Sequence, residues 1–343
     1  MEKRIIKFDP VLHRYTDEYK IPYTSVTQLI GKVEPTYNSR FWAMYRVIEQ
    51  VVAYKPRPFL ETEEIEISYV GKRVKIHLDL LYGGFIPTIK PPEDVITEWE
   101  EIKDQACEWG SSKHEYLENC INQFSVTNHI DIATIRTELQ SSIDTRGFAM
   151  RITSLEELEK SPLRHTYTSI FECIKKFVVN SWTVFAEKRV YSAYHRIAGT
   201  IDVLLVKDGM FYILDWKTNR KALKFESGYY KKVWNQERTK KVETSDWVRK
   251  DDRFLNPLSH IQHCKGETYT LQLSLYAYLC ELWGLRHMGT ILCHIRPACT
   301  EQGEILIDKN GWRIEVEPEF YDLNDRKADA HILAEWNRKQ FLN

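Results

Sequence analysis

Two aspartates and a lysine give the clearest chemical pattern in the sequence. Asp202 lies in the apolar run 199–205, Asp215 follows the apolar residues 212–214, and Lys217 comes two positions later. Because side chains alternate between the two faces of a strand, Asp215 and Lys217 should share one face. Charges at one end of a buried hairpin are unfavourable unless a partner neutralises them. The pattern therefore predicts a site where a divalent cation meets two carboxylates and a lysine.

Magnesium or manganese ions suit these residues, because both prefer oxygen ligands such as carboxylates, waters and phosphates. Such an ion acidifies a bound water and neutralises charge on a scissile phosphate. Lys217 could orient or deprotonate that water, and the backbone carbonyl of Trp216 could add an oxygen ligand. The simpler alternative is a buried salt bridge between Asp215 and Lys217, which a lone D-x-K pattern would favour.

The order of these residues resembles the PD-(D/E)xK nuclease superfamily: a glutamate at Glu187, then G-T-I-D, a short hairpin and D-W-K-T. The resemblance implies that Asp202 and Asp215 are metal ligands and that Lys217 is the catalytic lysine. The proline usual before the first aspartate is Ile201 here, which removes no ligand. Glu187 matches the family's glutamate on the preceding element. It is expected to tune the metal or support the site, the alternative being an exposed strand charge.

Two outlying motifs resemble the RecB-like exonuclease branch of that superfamily. Residues 110–118 read G-x-x-x-H-x-x-x-E, which places Gly110, His114 and Glu118 on one helical face. The resemblance implies that His114 is an additional metal ligand and that Glu118 orients or charges the site. The alternative for His114 is an ordinary surface or core histidine.

The second motif is Q-x-x-x-Y, formed by Gln272 and Tyr276 one helical turn apart. In the RecB-like branch it binds the DNA backbone or supports the active site, and the alternative is an amphipathic core helix. Residues 8–30 also resemble the entry of phage-encoded members. The whole resemblance covers roughly residues 96–297 and implies a restriction-endonuclease-like core.

A basic segment follows the catalytic lysine directly. Residues 217–250 hold eleven Lys/Arg against four Asp/Glu, a net charge of +7, with five interleaved aromatics. Such residues contact phosphates and stack on unpaired bases, so residues 218–267 are interpreted as a DNA-guiding insertion, the alternative being a solvated loop. Its candidate DNA contacts are Lys221, Lys224, Tyr229, Tyr230, Lys231 and Lys232. Residues 93–108 are instead acidic, with a net charge of −6.

The surrounding pattern predicts an α/β (α+β) fold with a central mixed sheet flanked by helices. Residues 1–95 are expected to form an N-terminal hairpin, helix and strand extension, and residues 96–343 the nuclease domain. Helices are predicted near 39–52, 96–123, 130–143, 154–160, 166–180, 268–283 and 321–340. Strands are predicted within 4–24, 64–90, 184–194, 197–207, 210–216, 287–296 and 304–316.

Composition excludes several classes of protein. With 48 Lys+Arg and 49 Asp+Glu, the chain lacks the basic balance of a histone-like coat. Its seven cysteines contain no C-x-x-C pair, so neither a disulfide scaffold nor an iron–sulfur cluster is expected. No apolar run suits a membrane span or signal peptide, and a cytoplasmic location is expected, in the host for a phage-encoded protein. A Walker A motif is also absent from the sequence.

We therefore expect a hydrolase: a Mg²⁺- or Mn²⁺-dependent DNA nuclease, acting as an exonuclease on single-stranded or frayed ends. The resemblance implies work in DNA recombination, repair or replication, beside a helicase or a recombination or replication partner. A structure-specific endonuclease for flaps or junctions is the same-chemistry alternative. A catalytically silent DNA-binding subunit is the alternative from another class.

Overall fold

The computed structural model describes residues 4–9, 12, 14–53, 60–69, 72–81, 92–122, 151–234, 241–300 and 304–342. The chain forms two compact units. The sheet unit contains Met1–Pro35, Trp109–Gly228 and Arg249–Asn343, and the hairpin unit contains Thr36–Glu108 and Tyr229–Val248. The predicted division at residue 95 does not coincide with these units.

The strands in chain order are β1 (Lys7–Asp9), β2 (Arg14–Thr16), β3 (Pro22–Ser25), β4 (Leu60–Tyr69), β5 (Lys72–Leu81), β6 (Arg151–Ile152), β7 (Thr183–Ser192), β8 (Ile197–Lys207), β9 (Met210–Thr218), β10 (Gly228–Trp234), β11 (Lys241–Arg249), β12 (Arg286–Ile295) and β13 (Glu319–Asp322). The helices are α1 (Val26–Gly31), α2 (Ser39–Ala53), α3 (Pro92–Asn122), α4 (Leu155–Glu159), α5 (Leu163–Thr166), α6 (Thr168–Val178), α7 (Lys265–Leu282) and α8 (Lys327–Gln340).

Among the described residues, nine strands of the sheet unit form one mixed sheet in the order β1-β2-β3-β8-β9-β12-β13, with β7 and then β6 beside β8. The β3–β8 and β9–β12 pairs are parallel, and β7, β8 and β9 pair antiparallel. Asp208 and Gly209 both have positive φ, of 48° and 74°. That conformation suits the two-residue Asp-Gly turn that joins β8 and β9.

Helices cover both faces of this sheet, and successive residues of β9 show why. Phe211 and Ile213 pack in the core cluster that includes residues of α1, α7 and α8. Leu214 and Trp216 pack in the cluster that includes residues of α3 and α6. Strand alternation sends neighbouring side chains to opposite faces, so two cores bury the sheet. The predicted mixed α/β fold with a helix-flanked sheet is thus confirmed.

The hairpin unit contains two separate hairpins, β4–β5 and β10–β11. Strands β4 and β5 pair over their full length, from Leu60↔Leu81 to Tyr69↔Lys72. Helix α2 and the first part of α3 belong to the same unit. Strands β10 and β11 lie within the insertion predicted at 218–267, for which no strands were predicted. Charged residues hide the apolar alternation that would have marked these two strands.

Two predictions near the C-terminus also need correction. Residues 304–316 form isolated bridges, such as Ile307↔Arg313, instead of a strand. The closing helix begins at Lys327 and not at residue 321, because Glu319–Asp322 pairs with β12 as a strand. The helix predicted at 130–143 and residues 82–90 of the predicted strand region lie outside the described residues. Within the described part of the chain, no helix is both long and apolar enough to cross a membrane.

Candidate active site

The candidate site lies where three strands diverge around β8. Strand β7 pairs with β8 from Ile197 to Val206 along one edge. On the other edge, β3 pairs with Ile197 and Ala198, and β9 pairs only from Val203 onward. The described register therefore leaves residues 199–202 of this edge between the end of β3 and the end of β9. Crevices where neighbouring strands separate are common ligand sites in α/β sheets.

Asp202 lies in this gap and takes over part of the hydrogen bonding of the sheet. Its Oδ2 accepts a hydrogen bond from the backbone N–H of Trp216 at 2.8 Å. The side chain thus ties β8 to β9 where their backbone ladder has ended. Trp216 also pairs with Cys293 in the β9–β12 ladder. Its carbonyl stays a predicted ligand.

Glu187 faces Asp202 across a break in the β7–β8 ladder. The ladder pairs Ala186 with Val203 and Lys188 with Ile201, while Glu187 between them has φ of 48°. A positive φ is uncommon for a residue with a side chain and often marks a functional position. Burial also switches here, since Ile201 packs in one core cluster and Val203 in the other. The irregular backbone sets these two carboxylates apart from the regular alternation.

Helix α3 brings His114 to the same place. His114 Nδ1 lies 3.4 Å from Asp202 Oδ2. One ligand atom from each of His114, Glu187 and Asp202 lies within 4.8 Å of the other two. Gly110, one turn earlier, makes this approach possible, because a β-carbon there would lie 2.7 Å from Thr218 Oγ1. The predicted motif glycine is therefore the position where α3 touches the end of β9.

Asp215 and Lys217 meet as the strand alternation predicts. Asp215 is 1 % exposed, and its Oδ2 forms an ion pair with Lys217 Nζ. Asp215 Oδ1 is buried and has no hydrogen-bond partner among the described residues. A buried carboxylate oxygen without a donor is unfavourable. It therefore suits a position where a cation supplies the missing partner.

The electrostatics of the cluster reflect its crowded carboxylates. Burial and the neighbouring charge of Asp202 raise the pKa of Asp215 above its usual range. Burial alone would raise the pKa of Asp202, but His114, Lys217 and the Trp216 N–H outweigh it and hold that pKa low. For His114, burial has the opposite effect and lowers the pKa. The negative charge of Asp202 and its hydrogen bond to His114 more than offset burial, so the pKa of His114 is raised overall. The site thus favours positive charge next to Asp202.

The donor set fits a hard divalent cation. Two carboxylates and one imidazole converge, and a further carboxylate oxygen of Asp215 lacks a partner. Oxygen-rich sites of this kind select Mg²⁺ or Mn²⁺ over softer metals. Glu187, expected as a supporting carboxylate, has an oxygen within 4.8 Å of a ligand atom of both His114 and Asp202.

Tyr269 and Asn219 are site residues that the sequence reasoning missed. Lys217 Nζ lies 5.3 Å from the centre of the Tyr269 ring, and the Tyr269 hydroxyl bonds the side-chain amide of Asn219 at 2.8 Å. Tyr269 precedes Gln272 and Tyr276 by three and seven residues on α7. This helical spacing places all three on one face, and it is the signal that could have identified Tyr269.

The Q-x-x-x-Y pair is buried beside β8. Gln272 Nε2 donates to Tyr276 Oη at 3.2 Å, and the two residues are 9 % and 4 % exposed. Gly199 allows α7 to approach, because a β-carbon there would lie 2.5 Å from the Tyr276 ring. Burial, followed by Tyr15 and Asp215, raises the pKa of Tyr276 well above its usual range. These contacts suit a role in supporting the site, because they pack α7 against β8 near Asp202.

The remaining predicted residues are spread over both units. Glu118 is half-buried on α3, one turn beyond His114, and its role stays a prediction. Lys221 is exposed and Lys224 half-buried in the loop after β9. The other four candidates lie on β10 of the hairpin unit and their relation to the site also stays a prediction: Tyr229, Tyr230, Lys231 and Lys232.

Several residues of this basic segment make contacts between β10 and β11. The rings of Tyr230 and Trp247 pack edge to face, 5.0 Å apart. Lys232 lies 3.5 Å from Glu243 on the facing strand, and the carbonyl of Lys231 accepts a bond from Thr244. Part of the segment is thus a folded hairpin and not the solvated loop of the alternative interpretation, and its DNA-guiding role stays a prediction.

Comparison with models of known protein families, with curated proteins and with solved structures gives no match to this chain.

Proposed function

We propose that this protein is a metal-dependent DNA nuclease with a PD-(D/E)xK core of the RecB-like type. The observation that carries the proposal is the convergence of His114, Glu187 and Asp202 within 4.8 Å. Beside them lies the buried ion pair of Asp215 and Lys217. A purely structural salt bridge would not need the additional imidazole and carboxylates at the same gap in the sheet.

Asp202, His114 and Glu187 would hold the cation, with Asp215 Oδ1 as a further donor. When bound, Mg²⁺ or Mn²⁺ supplies Lewis-acid stabilisation of phosphate charge and a more acidic water. The chain's own carboxylates set the position of that charge in the gap between β3 and β9. The backbone bond from Trp216 to Asp202 fixes one of them in place.

Lys217 orients the attacking group. Its ammonium is held between Asp215 and the face of the Tyr269 ring, and it is 13 % exposed. From this position Nζ–H donates to the attacking water or to a phosphate oxygen, which aligns the attack on phosphorus. Fixing one donor in advance lowers the entropic cost of reaching the transition state. The ion pair favours this orienting role over removal of a proton by Lys217.

The exonuclease preference rests on the motif set of His114, Gln272 and Tyr276, which resembles the end-processing branch. It is tested with single- and double-stranded DNA labelled at the 5′ or 3′ end, in Mn²⁺, Mg²⁺ or chelator. We expect metal-dependent release of labelled mononucleotides or short fragments from linear DNA, with single strands degraded faster.

A circular single strand of matched length is the decisive control substrate. An exonuclease leaves it intact while degrading the linear form. Cleavage of the circle at the same rate would instead indicate an endonuclease that acts on flaps or junctions. DNA binding without cleavage of any substrate would indicate a silent DNA-binding subunit.

A further inference from the structure

The N-terminal hairpin forms one wall of the gap in which Asp202 lies. Strand β3 pairs with Ile197 and Ala198 of β8 and ends there at Ser25. Strand β2 pairs with β3 through Tyr15 and Tyr23. These strands carry residues that the proposed nuclease mechanism does not use. The hairpin therefore reaches the site from the side opposite to β9.

Tyr15 reaches across to β8 at the gap itself. Its hydroxyl lies 2.9 Å from Thr200 Oγ1. Thr200 precedes Asp202 by two residues and is half-buried, within the stretch that pairs with neither β3 nor β9. A pair of hydroxyls carries two protons and needs only one for its mutual bond. The second proton can be donated to another acceptor.

An arginine on β7 pairs with Thr200 across the ladder. This residue is Arg189, and its Nη1 donates to the carbonyl of Ile6 at 3.0 Å. The N-terminal segment thus holds Arg189 as well as supplying Tyr15. Arginine presents several N–H donors in one plane, and it pairs strongly with phosphate oxygens.

The charges of Arg189 and of the site carboxylates both act on Tyr15. Burial raises the pKa of Tyr15, the Thr200 bond and Arg189 oppose the rise, and Glu187 and Asp202 add to it. The hydrogen bond of Tyr15 to Thr200 and the ladder pairing of Thr200 with Arg189 place the phenol and the arginine at the same stretch of β8. Donors and a cation at this point are the groups needed to hold an anion next to negative side chains.

We propose that Tyr15, Thr200 and Arg189 form a subsite for a DNA phosphodiester group that neighbours the one being cleaved. The inference rests on the proposed nuclease function and deepens it. The subsite fixes the strand by a second phosphate, so that the scissile linkage lies over the Asp202 carboxylate. It also gives the N-terminal hairpin a role in substrate binding.

Tyr15→Phe tests the subsite, because it removes one hydroxyl and keeps the ring that packs on Phe8 at 4.7 Å. Tyr23→Phe is the matched control, since Tyr23 lies in the same hairpin and bonds Asp17 instead. Binding of single-stranded DNA is measured in chelator, and KM and kcat are measured in Mn²⁺. We expect about a tenfold rise in Kd and KM for Tyr15→Phe, the usual effect of losing a hydrogen bond to a charged group. Tyr23→Phe should match the wild type, and kcat should change little.

Methylphosphonate substrates separate this role from a merely structural one. Replacing one charged phosphodiester beside the scissile linkage should weaken wild-type binding more than Tyr15→Phe binding, because the variant has already lost the Tyr15 contact and keeps only those of Thr200 and Arg189. Equal Kd values for Tyr15→Phe and wild type would overturn the subsite. So would a loss that is the same for every methylphosphonate position.

The outcome also distinguishes the two proposals. A wild-type protein that binds DNA with this positional pattern but never cleaves it keeps the subsite and loses the nuclease. One that cleaves with no effect of Tyr15→Phe keeps the nuclease and loses the subsite. A wild-type protein that does not bind DNA overturns both.

Discussion

Gly110 on helix α3 lies against Thr218 at the end of β9, so close that a β-carbon on Gly110 would stand 2.7 Å from Thr218 Oγ1. The same hypothetical atom lies 4.0 Å from Thr218 Cβ, an ordinary contact distance. This contact sets how near His114, one turn further along the helix, comes to Asp202. The glycine of the sequence motif is thus explained by packing.

Gly110→Ala should move the His114 helix away and weaken Mn²⁺ binding about tenfold, the lower end of what loss of supporting contacts costs a metal site. The affinity is measured by titration calorimetry in the absence of DNA. Thr218→Ala removes the clashing oxygen, so the double variant Gly110→Ala/Thr218→Ala should recover the wild-type affinity. If Gly110→Ala binds Mn²⁺ as the wild type does, the helix contact does not position His114.

Because Asp215 and Lys217 form a buried pair, removing one partner should lower the free energy of unfolding, measured in the presence of chelator. Lys217→Met leaves a buried carboxylate without its cation and should lower the free energy of unfolding by about 3 kcal/mol. Adding Asp215→Asn removes that charge and should restore most of the loss. Urea unfolding of both variants provides the comparison. Equal stability of Lys217→Met and wild type would show that the ion pair is solvated.

A second ionic contact holds the residue next to His114. Lys113 Nζ lies 2.6 Å from Glu315 Oε1, and the Tyr167 hydroxyl donates to Glu315 Oε2 at 2.5 Å. Glu315→Gln keeps the size of the side chain but weakens both contacts, so it should destabilise the protein by about 1–2 kcal/mol. Lys113→Met combined with Glu315→Gln should cost less than the sum of the single changes. Additive losses in thermal unfolding would mean that the two residues act independently.

The turn between β7 and β8 should make stability depend on pH. Buried His195 bonds Ser192 Oγ through Nδ1 at 2.9 Å and Glu335 Oε1 through Nε2 at 3.1 Å. Burial lowers the pKa of His195, and Glu335 only partly offsets this. The unfolded chain therefore takes up the proton first as pH falls. The contribution of His195 is fully present above the unfolded pKa, near 6.5, and is lost as pH falls towards the lower folded value.

His195→Gln provides the comparison for this pH effect, since glutamine can still bond Glu335 but does not titrate. Urea midpoints are measured between pH 7.5 and 5.5. We expect the wild type to lose more stability over this range than the variant does. An equal loss in both proteins would assign the pH dependence to other groups.

Local patterns predicted the site only where one element decides the geometry. Alternation along β9 was enough to place Asp215 beside Lys217, and helical spacing was enough to pair Gln272 with Tyr276. The position of Glu187 near Asp202 depends on its positive φ, and a glutamate in a strand pattern does not predict that conformation. Tyr15 reaches Thr200 from 185 positions away. Contacts of that kind depend on sheet order, which no local pattern specifies.

The same limit explains the errors in the fold. The C-terminal helix was expected over 321–340, as a closing amphipathic helix. Pairing of Glu319–Asp322 with β12 overrides that pattern, as tertiary context commonly does. In β10 and β11, lysines and glutamates occupy strand positions, and Lys232 pairs with Glu243 on the facing strand.

Cleavage of end-labelled single-stranded DNA in Mn²⁺ tests the central claim most directly. The proteins compared are wild type, Asp215→Ala, Lys217→Ala and, as a matched control, Lys160→Ala, whose side chain is exposed on the surface beyond α4. We predict cleavage by wild type and Lys160→Ala that chelator abolishes. We predict at least a hundredfold loss of cleavage in the other two variants, with DNA binding retained. Equal cleavage by Asp215→Ala, Lys217→Ala and wild type, or wild-type cleavage that persists in chelator, would contradict it.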